Sequence, residues 1–97
     1  MSYYLTFGVQ YKRRPPDTWD GYGEPHPIYP HFIDGNGYVR VEAPDETTAR
    51  EIVINYFGKA WSFIYDHEPE AQHAPLGELG AIDANTQTLK WHEAVIA

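Results

Sequence analysis

The chain has 97 residues, a net charge of −7, and a composition that is 42% hydrophobic and 15% aromatic. That length allows one modest core, and the aromatic content is far above that of a disordered tail. With no cysteine, a disulfide framework, a thiolate nucleophile and a thiolate zinc site are excluded, and no apolar run approaches the roughly 20 residues of a membrane helix.

In chain order, residues 3–12 alternate, with Tyr3, Leu5, Phe7, Val9 and Tyr11 on one side and Tyr4, Thr6, Gly8, Gln10 and Lys12 on the other. Period two with aromatic and β-branched residues predicts a strand. Residues 13–30 hold Pro15, Pro16, Pro25, Pro27 and Pro30 with Gly21 and Gly23, so they read as a long loop, since proline removes ladder donors. Phe32-Ile33 reads as a short strand end, and Asp34 to Gly37 as a turn. A second strand is expected over Tyr38 to Ala43.

Asp45 is the expected N-cap of a helix, its carboxylate accepting from the backbone N–H of Thr47 or Thr48. Ala49, Ile52, Val53, Tyr56 and Phe57 then fall on one apolar stripe, and Gly58 marks the stop. Lys59 to Asp66 reads as a third strand, parallel to the second because a helix joins them. Pro69 and Pro75 bracket a short irregular piece. Leu76 to Ile82 reads as an edge strand interrupted by Gly77 and Gly80, residues 83–86 as a turn, and Leu89 to Ile96 as a last strand or helical segment. The expected core is Tyr3, Phe7, Val41, Ile52, Phe57, Trp61 and Phe63. The sum is a single α+β domain over 1–97: a mixed or antiparallel sheet of three to five strands with one main helix on one face. A Pro- and aromatic-rich loop spans about 13–30, and a less defined tail about 83–97. One helix cannot cover both faces of such a sheet, so the aromatic loop or a second copy of the chain is expected on the other, and a homodimer follows as an expectation.

The order YYLTFGVQY (3–11), His26-Pro27, GYVRVEAPD (37–45), Thr48-Ala49-Arg50, Phe57-Gly58, Ala60 to Tyr65 and Pro75-Leu76-Gly77 resembles a group of small uncharacterised proteins encoded by actinobacteriophages and related bacterial genomes. The resemblance spans roughly residues 3–82. It implies a phage accessory protein acting in a bacterial host cytoplasm and carries over no catalytic residues. The N-terminus, without basic and apolar regions, agrees with a cytoplasmic expectation.

The charge is divided. Residues 1–40 are balanced, whereas 41–97 set Arg50, Lys59 and Lys90 against ten acids. Such acidity argues against direct binding to phosphate backbones and suits a basic protein partner. Five histidines are present. His26, His31 and Asp34 include ordinary metal-ligand types, but their spacing matches no metal motif, and no metal or other cofactor is expected. His67 and His73 flank Glu68 and Glu70 in a second cluster. Ser2 and Ser62 lie in no nucleophile motif, and the paired acids are explained by capping and solvation. The expected binding surface is Tyr11, Arg13, Arg14, Trp19 and Tyr22 with His26 and His31, because aromatic rings beside arginine suit interface anchors or a stacked nucleotide. The leading expectation is a non-enzymatic phage protein that binds and modulates a host protein. The alternatives are a protein that sequesters a nucleotide signal, a small metal-dependent hydrolase using His26, His31 and Asp34, and a virion component.

Overall fold

The computed structural model describes residues 1–12 and 23–92. Five strands, β1 (Ser2–Thr6), β2 (Gly37–Glu42), β3 (Phe63–Tyr65), β4 (Gly77–Asp83) and β5 (Thr88–Trp91), and one helix, α1 (Glu46–Phe57), follow in that order with the helix between β2 and β3. The sheet order is β3-β1-β2-β4-β5. β1 is antiparallel to both β2 and β3, β2 is parallel to β4, and β4 is antiparallel to β5. β2 and β3 therefore run parallel, as expected, but with β1 inserted between them. The protein has a small α+β fold, and no helix among the described residues is long and apolar enough to cross a membrane.

The helix forms as its sequence dictates. Asp45, extended at φ −153°, accepts the backbone N–H of Thr48 at 2.7 Å, and Gly58 closes the last turn by donating to the Ile54 carbonyl at 2.9 Å. Ala49, Ile52, Val53 and Phe57 are buried, pressed on Tyr3 and Leu5 of β1, Val39 and Val41 of β2, Ile64 of β3 and Leu79 and Ile82 of β4. Burial of this apolar set supplies the main driving force of the fold. The segment after Gly23 completes the same layer. Tyr29 and Phe32 pack against the core, Phe32 stacking on Trp91 at 5.0 Å and Tyr29 meeting Phe57 edge-on at 5.5 Å. Part of the expected aromatic loop thus joins the helix on its own side of the sheet.

Several expectations are corrected. β1 stops at Thr6, because Gly8 takes φ +103° and turns the chain; Phe7 stays buried while Val9 is 76% exposed. Phe32 and Ile33 form a turn on the Tyr29 carbonyl rather than a strand end. β3 is three residues long, and the Leu5–Ile64 pairing sends Ile64 inward and Phe63 outward. Phe63 is 62% exposed, and Trp61 is half-buried rather than central. β4 is interior, held by β2 and β5, and bulges where Tyr38 pairs with Glu78 but Val39 with Gly80, which leaves Leu79 extra and buried. Gly80, read from sequence as a weakness, is needed there: a Cβ would lie 2.7 Å from the Lys90 carbonyl oxygen and 2.8 Å from the Trp91 ring. The last strand begins at Thr88, one residue before the expected Leu89, and runs to Trp91, while residues 93–96 of the expected segment lie outside the described residues.

Candidate functional site

Alternation along the strands places Tyr4 and Thr6, Tyr38, Arg40 and Glu42, Phe63 and Tyr65, Glu78 and Ala81, and Lys90 on the sheet face away from α1. The connection from β3 to β4 meets this face where the Tyr38 hydroxyl donates to the Glu68 carboxylate at 2.5 Å and where His67 lies 5.5 Å from the Tyr65 ring. Burial, with Glu68 alongside, pushes the Tyr38 phenol well above its ordinary value. Tyr4 meets Tyr38 edge-on at 5.4 Å, and Phe63 lies 6.2 Å from Tyr65. The result is an aromatic patch at the β3–β1 side of an otherwise polar face.

Beside the patch runs an open groove of about 600 Å³. Its walls are Thr6, Ser62 and Tyr65 from the β1–β3 pair, Gly8, Val9 and Gly35 from the long connections, and His67, Glu68, Pro69, Glu70 and His73 from the crossing segment. None of these is Lys or Arg, so the groove is acidic. On the β4–β5 side one guanidinium bridges two carboxylates. Arg40 holds Glu42 at 2.5 Å and Glu78 at 2.8 Å, and His92 Nε2 reaches the second oxygen of Glu78 at 2.6 Å. The two carboxylates raise the Arg40 pKa, and the Ser2 hydroxyl, followed by Arg40, holds Glu42 below the usual carboxylate range. A second groove of about 630 Å³ lies over this network, lined by residues that include Asp83, Thr88 and Lys90.

Arg13, Arg14, Trp19 and Tyr22 of the expected binding set lie outside the described residues, so only Tyr11, His26 and His31 can be placed. Tyr11 and His31 are half-buried. Tyr11 marks a neck, since Lys12 N–H donates to the Glu24 carbonyl at 2.8 Å and Glu24 N–H to the Gln10 carbonyl at 2.7 Å. His26 is 1% exposed and faces inward. Its Nε2 lies 2.8 Å from the Ala60 carbonyl, and its Nδ1 accepts the N–H groups of Ile28 and Tyr29, each at 3.2 Å. That arrangement fixes the neutral Nε2–H tautomer and leaves neither nitrogen for a metal. Asp34 is buried and caps its own turn by accepting from Asn36 N–H at 2.9 Å. Among the described residues no group of three His, Asp or Glu side chains is arranged to hold a metal ion.

Phe63 is the site residue that sequence reasoning misplaced, since the aromatic face of β3 reads as its inner face. Alternation did place Phe63 and Tyr65 together, and the Glu68–Glu70 cluster was visible in sequence. What joins them is the route of the crossing segment, which no local pattern encodes. No protein-family model, curated protein or solved structure matches the chain.

Proposed function

We propose that this chain is a non-enzymatic binding protein that docks a basic partner protein on the face of its sheet away from α1. The observation that carries the reading is Phe63, 62% exposed at the strand bordering the acidic groove. An exposed aromatic beside a charged groove supplies both terms a protein interface uses: desolvation energy at an anchor and steering by complementary charge. Among the described residues no Lys or Arg lines the groove, which favours a cationic partner surface over nucleic acid, whose phosphates the groove would repel. The resemblance to actinobacteriophage proteins supports a host protein as that partner and the host cytoplasm as the place of encounter.

The test is a photo-crosslinking amino acid placed at position 63 and, as a control, at Ile54, which is 55% exposed on the helix side. In an actinobacterial host, position 63 should trap one host protein and position 54 should not, and Glu68→Gln with Glu70→Gln should reduce the yield. Equal crosslinking from both positions, or from position 54 alone, would remove the face from consideration. A crosslink from position 63 to a second copy of the chain would replace the host partner with a homodimer.

A further inference from the structure

His26 does not line the groove proposed for docking. It is a titratable side chain closed into the core between the long connection and the α1–β3 connection. Phe7 and Phe57 meet it edge-on at 5.7 and 6.2 Å, and Tyr11 and Tyr29 lie at 5.1 and 6.3 Å. Among the described residues the titratable groups packed against it are thus the two phenols. α1 contributes Phe57, the extension of β1 contributes Phe7, and the α1–β3 connection contributes the Ala60 carbonyl. None of these supplies the negative charge that would hold an imidazolium in place.

We propose that His26 is a proton-operated latch that fastens residues 26–33 to the α1–β3 connection. In the neutral ring one nitrogen donates across to Ala60 and the other accepts two N–H groups of its own turn. A second proton must go on Nδ1, the atom that accepts from Ile28 and Tyr29. A donor would then face two donors inside an apolar cage, so the charged ring has to leave. Its departure frees the turn carrying Tyr29 and Phe32, which close over Phe57 and Trp91, and releases Ala60, two residues before Ser62 in the groove wall. Burial lowers the affinity of His26 for a proton. The latch is therefore fully closed above the unfolded histidine pKa of about 6.5 and weakens as pH falls below it, because the open state takes up the proton more readily.

Hydrogen exchange at the Ile28 and Tyr29 amides, expressed as protection factors to remove the intrinsic pH dependence, reads this directly. Uptake of one proton on opening predicts that protection falls about tenfold per pH unit below about 6.5. His26→Asn retains a side-chain oxygen able to accept from the turn but cannot titrate, so its protection should be independent of pH over the same range. Unchanged protection in the parent chain, or the same slope in the variant, would overturn the latch. The parent chain alone gives a second reading should the variant fail to fold. The ¹⁵N shifts of the His26 ring should report the Nε2–H tautomer at pH 7.5 and become charged only as protection is lost. A ring charged at pH 7.5, or charged at lower pH with protection intact, would refute the proposal.

Discussion

Replacing Gly35 by alanine tests the geometry that builds the groove wall. Gly35 N–H donates to the Tyr11 carbonyl at 2.8 Å, which draws its Cα onto the chain at Gly8 and Val9. A Cβ on Gly35 would overlap the Gly8 carbonyl oxygen and lie 2.7 Å from both the Gly8 carbonyl carbon and Val9 Cα. Carbon atoms in good contact sit about 3.5–4.0 Å apart, so the overlap approaches an ångström. All three opposing atoms are backbone, and none can rotate aside as the end of a side chain would. The two long connections must separate or the Tyr11 bond must break, and we expect a loss of about 3 kcal/mol, at the upper end of overpacking costs. A domain of 97 residues has about 5–15 kcal/mol of stability in total. The melting temperature should therefore fall by about 12–24 °C. Thermal unfolding followed by near-ultraviolet circular dichroism measures it, and amide shifts in the surviving folded state should change most at 8–11 and 33–36. A melting temperature within about 4 °C of the parent would show that the close approach of these connections is not a constraint, and the groove wall would lose its stated cause.

Phe57 is fully buried where α1, Phe7, His26 and Tyr29 meet, so Phe57→Ala should cost about 3–5 kcal/mol by denaturant unfolding, as expected for a large ring removed from a closed site. Ser2→Ala removes the first cause of the lowered Glu42 pKa, and carboxyl NMR should show that pKa rising toward the ordinary carboxylate value. Because the native carboxylate titrates below the unfolded one, its contribution is present above the unfolded value of about 4.3 and is lost as pH falls through the native value. The stability gap between parent and Ser2→Ala should accordingly be open at pH 7 and close in acid.

Local chemistry made parts of this protein legible from sequence. The Asp45 cap, the Ala49-to-Phe57 stripe and the Gly58 stop depend on contacts within a few residues, so their pattern alone specifies α1, and alternation located β2 in the same way. The parallel course of β2 and β3 also follows from the helix that joins them. The candidate site was only half visible. Phe63, Tyr65, Glu68 and Glu70 could each be noticed, but not their common face. Alternation fixes which residues share a side of a strand and says nothing about which side meets the core. That choice was made by pairing, when Leu5 opposite Ile64 put the aliphatic residue inside and turned Phe63 out. Partners distant in sequence likewise decided the interior position of β4, the need for glycine at position 80, and the burial of His26 against Ala60. Short-range hydrogen bonding and periodicity are written in the chain; which surfaces close on one another depends on contacts tens of residues apart, and only the folded structure sets them.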